Sequence, residues 1–242
     1  MVNFADILER SENPVAAAML LILSWIASSD GKIAEEEMAE LRSIAESGKG
    51  SAALRSVIDL AQRCRVEDLQ LGCEVLQELE PKHRRLMLQM AIGMALEDGY
   101  LTTAEGHIVR FVADVLLQAP SDLNRLFNEM TGEDFPTPAD PSSVEWWDSR
   151  ESRSRQKAQA GRNERRAEPQ SGSRTPDVQR LRDLGVLGLD EEATIAQVKD
   201  AYKRMAQIHH PDKFVTLGPE AVKAAEVTFL RIRAAYERLM AR

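Results

Sequence analysis

Residues 19–46 and 87–114 are two versions of one pattern. Shifted by sixty-eight places, MLLILSWIASSDGKIAEEEMAELRSIAE falls on MLQMAIGMALEDGYLTTAEGHIVRFVAD, with Met19 on Met87, Ala27 on Ala95, Asp30 on Asp98, Gly31 on Gly99, Glu37 on Glu105, Arg42 on Arg110 and Ala45 on Ala113. In each copy an apolar helix runs into Asp-Gly, a bulky residue (Ile33 or Leu101) follows two positions later, and an acidic helix begins. Glycine supplies the positive φ that such a sharp turn demands. In the second copy Thr102 and Glu105 have capping-box spacing, which Ala34 denies to the first. Each copy is a helix-turn-helix hairpin, and a repeated hairpin restricts this part of the chain to a helical bundle with pseudo-twofold organisation.

Between the copies, Ser51 to Arg63 and Val66 to Leu79 carry helical periodicity, broken by Gly48-Lys49-Gly50 and by Pro81; Ser121 to Met130 follows the second copy. The expectation over residues 1–130 is a bundle of about seven helices. The run PVAAAMLLILSWIA, Pro14 to Ala27, is the most apolar in the chain. It falls short of the ~20 residues that cross a bilayer, so it reads as a buried helix capped by Asn13 with Pro14 in its first turn. Met1 to Asn13 carries Asp6, Glu9, Arg10 and Glu12 without a leading basic cluster, unlike a secretory signal. The expected location is cytoplasmic. Cys64 and Cys73 are expected as reduced core thiols, and no Cys-x-x-Cys occurs.

Charge separates three regions. Residues 1–130 carry a net −9, residues 176–242 a net +1, and the whole chain −8, which argues against general nucleic-acid binding. Residues 131–175 are rich in Pro, Ser and Arg and read as a linker, acidic up to Ser149 and basic from Arg150. Trp146 and Trp147 lie where the sign changes. Adjacent tryptophans are costly to expose, so they are candidates for docking on the first domain or on a partner.

A second organising pattern lies near the end, in Ile208-His209-His210-Pro211-Asp212-Lys213-Phe214. The preceding helix places Val198, Ala201, Met205 and Ile208 on one stripe, with Lys199, Lys203 and His210 on a largely separate one. The following helix, Gly218 to Met240, repeats an apolar stripe at Val222, Ala225, Phe229, Ile232, Tyr236 and Leu239. Proline fixes its own φ and pushes His210 out of the α region, so the first helix ends in a defined corner. His210 and Asp212 stand at its tip, while His209 reads as a bystander, because zinc sites need three or four convergent ligands.

The order Leu187-Gly188-Leu189, Ala201-Tyr202-Lys203-Arg204, His210-Pro211-Asp212-Lys213, then Phe229, Ile232 and Ala235-Tyr236-Glu237, resembles the J domain of DnaJ-type cochaperones over residues 175–242. The resemblance implies that His210, Pro211 and Asp212, together with Lys199, Tyr202, Lys203 and Arg204, dock on a DnaK-type ATPase chaperone and stimulate its ATP hydrolysis. The usual aromatic of the family's first helix is Leu184 here.

The repeated element Asp30, Gly31, Ile33, Glu37 and Asp98, Gly99, Leu101, Glu105 resembles the TerB tellurite-resistance family over residues 13–130. That resemblance implies a divalent-cation site at Asp30, Glu37, Asp98 and Glu105. Helix capping and the macrodipole account for the same four carboxylates without a metal. The pairing of the two domains is similar to DjlA-type proteins, which carry a membrane anchor that this chain does not display.

The expectation is an all-α cochaperone, not an enzyme: a TerB-like domain over 1–130 that selects a client or a location, a linker over 131–175 and a J domain over 176–242. No phosphate loop, nucleophile elbow or paired-histidine hydrolase motif is present. The rival expectations are a cation-binding stress or tellurite-response protein and an adaptor that binds the chaperone without stimulating it.

Overall fold

A computed structural model describes residues 3–29, 33, 35–48, 51–63, 65–136 and 178–241. The described residues form eleven α-helices and one 3₁₀ segment, without a strand. Eight helices build the N-terminal bundle: α1 Phe4–Arg10, α2 Pro14–Ala27, α3 Glu35–Glu46, α4 Ser51–Ala61, α5 Val66–Gln77, α6 Pro81–Ala95, α7 Thr103–Val115 and α8 Pro120–Thr131. Then come α9 Val178–Val186, α10 Ile195–Ile208, the 3₁₀ segment Pro211–Leu217 and α11 Pro219–Met240.

The bundle has one helix more than the sequence predicts. Helix α1 opens on a reciprocal capping box between Asn3 and Asp6 and buries Phe4 and Ile7. The Phe4 amide donates to Asp68 Oδ1 on α5 at 3.0 Å, which ties this short helix to the core.

The two apolar repeat helices, α2 and α6, occupy the centre. Helix α2 buries Ala16 through Ser24 without a break, as a helix apolar on every side must. It packs on α4, α5 and α6. The expected cap is present: Asn13 accepts from the Ala16 amide, with Pro14 at the first position. No helix among the described residues is long and apolar enough to cross a membrane. In the second repeat the Thr102–Glu105 capping box closes at 2.8 and 3.2 Å.

The C-terminal helices form the expected antiparallel hairpin. Helix α10 starts on a Thr194–Gln197 capping box and buries Val198, Ala201 and Met205. Their partners on α11 include Ala225, Ile232 and Leu239, with Phe214 of the 3₁₀ segment fully buried beneath. Leu184 is 1% exposed, so the aliphatic replacement fills a core position.

Met1–Phe135 and Gln179–Arg242 pack as one compact unit. The joint within the larger unit is made largely by α11 on α3, with further contacts to α6 and α2. Helix α11 consequently has a second buried face, Ala221, Ala224 and Thr228, continued by the largely buried Arg231.

Candidate functional site

The sharp corner expected at Pro211 is present. Helix α10 ends at Ile208; His209 keeps near-helical angles (φ −96°, ψ 20°) and His210 turns to extended ones (φ −64°, ψ 125°). That change of backbone sends two adjacent histidines to opposite sides. The His210 side chain is 52% and that of Asp212 87% exposed. His210 caps the 3₁₀ segment, its Nδ1 accepting from the Asp212 amide at 3.3 Å and lying 3.6 Å from Asp212 Oδ2. Its ring meets the edge of Phe229 on α11 at 6.0 Å between centroids. The tip is therefore shaped by a proline, a side-chain cap and an aromatic support, while its polar atoms face outward.

The neighbouring helix divides the remaining predicted docking residues. Lys199 and Lys203 are exposed, with Lys203 within 3.8 Å of Asp200 one turn earlier, a contact weak enough to yield to a partner. Tyr202 stacks on Tyr236 of α11 at 4.2 Å and 15°, a contact of the hairpin itself. Arg204 is half-buried, with its Nε enclosed and without a hydrogen-bond partner. The exposed set is thus Lys199, Lys203, His210 and Asp212, supported by Pro211.

His209, a bystander by sequence, is 0% exposed. Its burial, with the nearby Arg231 and Lys213 charges, lowers its pKa to about 4, so the ring is neutral at physiological pH. The ring lies against Gly93 of α6: a Cβ at that glycine would stand 2.8 Å from His209 Cε1 and 3.3 Å from Thr228 Cγ2. Sequence reasoning missed this contact because glycine gives no hydropathy signal.

Beside it lies a charged cluster shared by both parts of the chain. Arg231 of α11 reaches Glu40 of α3 and, at 3.1 Å, Glu97 just beyond α6. Burial raises the Glu97 carboxyl to about pKa 7; Arg231 opposes the shift, and Glu40, Glu37 and Asp98 add to it. Arg182 of α9 pairs with Asp98 at 2.5 Å. A groove of about 620 Å³ opens here, and its charged walls, including Asp183 and Arg238, face one another in pairs.

Of the four carboxylates singled out for a cation, Glu37 and Asp98 both lie close enough to Glu97 to raise its pKa. Glu105 is committed to the Thr102 amide, Asp98 to Arg182, and Asp30 lies outside the described residues. Among the described residues no group of three or more His, Cys, Asp or Glu is placed to hold a metal. Trp146, Trp147 and Cys64 also lie outside the described residues; Cys73 is a buried free thiol whose pKa is raised by that burial and by Glu74.

The family model of the tellurite resistance protein TerB matches residues 14–128, and that of the DnaJ domain matches residues 185–242. The co-chaperone protein DjlA of Coxiella burnetii is 25% identical over 228 residues, covering 90% of this chain and 73% of the relative. DjlA of Pectobacterium atrosepticum is 28% identical over 171 residues, covering 64% of this chain and 53% of the relative. The chaperone protein DnaJ of Mesomycoplasma hyopneumoniae is 39% identical over 52 residues, 22% of this chain and 14% of its own length. No solved structure matches the chain. The chain is thus a TerB domain joined to a C-terminal DnaJ domain, similar across both to the DjlA co-chaperones.

Proposed function

We propose that this protein is a co-chaperone that docks on a DnaK-type ATPase chaperone through His210, Pro211, Asp212, Lys199 and Lys203 and stimulates its ATP hydrolysis. The observation that carries the reading is the corner itself: His210 and Asp212 stand exposed on a proline-pinned tip at the end of a helix bearing exposed Lys199 and Lys203. Such a tip offers an acidic surface two mobile ammonium groups and one pre-ordered polar pair, so little freedom is lost on binding. The similarity to chains named DjlA and DnaJ supports the same reading. Tyr202 and Arg204, each partly exposed on the same helix, complete the docking set, with Tyr202 also bracing α10 against α11 through Tyr236. The TerB domain, residues 1–130, gives the client or the location, and the J domain, residues 176–242, gives the stimulation.

The test is His210→Gln. The imidazole is half exposed, and losing its cap and its contact with Phe229 costs only about 1 kcal/mol, so the variant folds, while stimulation of the chaperone's steady-state ATPase falls at least ten-fold. Full stimulation by the folded variant would refute the assignment. Complex formation with unchanged turnover by the wild-type chain would instead identify a non-stimulating adaptor.

A further inference from the structure

The segment around the His-Pro-Asp corner touches the N-terminal bundle at three separate places, two through the buried His209 and Glu220 and one through the exposed Thr216. His209 seats its ring on Gly93, a position that admits the ring only because it lacks a Cβ. Four residues after the corner, Thr216 Oγ1 lies 3.0 Å from Nε2 of His83, near the start of α6. At the beginning of α11, Glu220 is 2% exposed and accepts from Asn13 Nδ2 at 3.2 Å, and a Cβ at Gly48 would collide with its carboxylate. These grips come from α2, α6 and the loop after α3, and they span His209 to Glu220. The exposed atoms of His210 and Asp212 lie between them in sequence.

We propose that the TerB domain is a positioning element for the J domain's docking corner: by gripping residues 209–220, it fixes how His210 and Asp212 are presented to the chaperone. The inference rests on the co-chaperone reading and adds to it. The bundle then does more than supply an address. It orders the 3₁₀ segment before the chaperone arrives, and it does so without covering the docking side, since Lys199, Lys203, His210 and Asp212 stay exposed in the gripped state. His209, Thr216 and Glu220 are positioning residues that act through the corner.

The test uses the full chain carrying Gly93→Leu, which drives a side chain into the His209 seat. Two readouts are taken: amide hydrogen exchange over residues 211–218, and chaperone ATPase rate titrated against the variant. Exchange over 211–218 should rise ten-fold or more, and the concentration for half-maximal stimulation should rise at least five-fold while the saturating rate stays near that of wild type. A merely unfolded fraction would raise the half-maximal concentration only in proportion to that fraction and would raise exchange along the whole chain, whereas the loosened grip raises it over 211–218 alone. If Gly93→Leu does not fold, Gly48→Val with His83→Ala loosens the other two grips from positions outside the core and is read the same way. Unchanged exchange in a folded variant overturns the proposal, as does raised exchange with an unchanged titration. A wild-type chain that fails to stimulate removes the co-chaperone reading, and the exchange readout still decides the grip.

Discussion

Two buried titratable residues feel the Arg231 charge, and their pKa values are displaced in opposite directions. Glu97 rises from 4.5 to about 7 and His209 falls from 6.5 to about 4. For Glu97 the native state holds a proton that the unfolded chain has lost, so its contribution is favourable below pH 4.5 and is lost as pH climbs to 7. For His209 the unfolded chain holds the extra proton, so stability is full above pH 6.5 and is lost as pH falls toward 4. Between these limits the two proton counts cancel. Glu97→Gln should therefore expose the histidine slope, with stability falling by about 3 kcal/mol relative to its own neutral value as pH drops from 6.5 to 4. His209→Gln should show the opposite, a loss of similar size as pH rises from 4.5 to 7. Urea unfolding across this range checks both, and parallel profiles for the two variants would contradict the assignment.

Among the helices, those with apolar periodicity were legible and those joined by small or charged groups were not. Helices α10 and α11 follow directly from Val198, Ala201, Met205 and from Ala225, Ile232, Leu239, because an apolar side chain every third or fourth residue reports a buried face. The other face of α11 carries Ala221, Ala224, Thr228 and Arg231, whose weak hydropathy conceals its burial. Helix α1 escaped because it has seven residues and its capping box uses Asp6 in place of the usual Glu or Gln. The corner at Pro211 was legible in full, since proline chemistry is local. The seat of His209 on Gly93 was not, since it joins positions far apart through a residue with no side chain.

Glycines make a sharper test at this scale. A Cβ on Gly185 of α9 would run into the carbonyl oxygen of Gly99, and Gly99 itself (φ +84°) lies within 2.6 Å of Arg182 O by the same measure. Gly132, the C-cap of α8 with φ +82°, has nothing within 4 Å of its would-be Cβ. Gly132→Ala therefore costs only the left-handed strain, about 1 kcal/mol. Gly185→Ala must push two backbones apart, at about 2–3 kcal/mol, or roughly 5–10 °C in thermal midpoint for a domain of this size. Calorimetry of the two variants measures the difference; equal midpoints would mean that α9 does not press on the repeat turn.

At the scale of the molecule, the TerB and J helices belong to one compact unit although two family models divide them. Arg231 between Glu40 and Glu97 and the seat of His209 both cross the division. Buried ion pairs contribute little net stability when intact, yet removing one partner strands the other at a cost of about 3–5 kcal/mol. Thermal unfolding of the wild-type chain should accordingly give one transition for both parts, with equal calorimetric and van't Hoff enthalpies. Arg231→Met should lower the midpoint and split the transition in two. A wild-type chain that melts in two steps would show that the contacts at α11 do not couple the parts.

Gly99 against Gly185, and Gly188 against Thr131 at 2.5 Å from a would-be Cβ, bring main chain onto main chain. Side-chain contacts can be retuned by adding or deleting a methyl group, but a weld between peptide planes offers no such dial. At Gly99, Gly185 and Gly188 any larger residue must therefore move a main chain, a demand that no neighbouring rotamer can absorb.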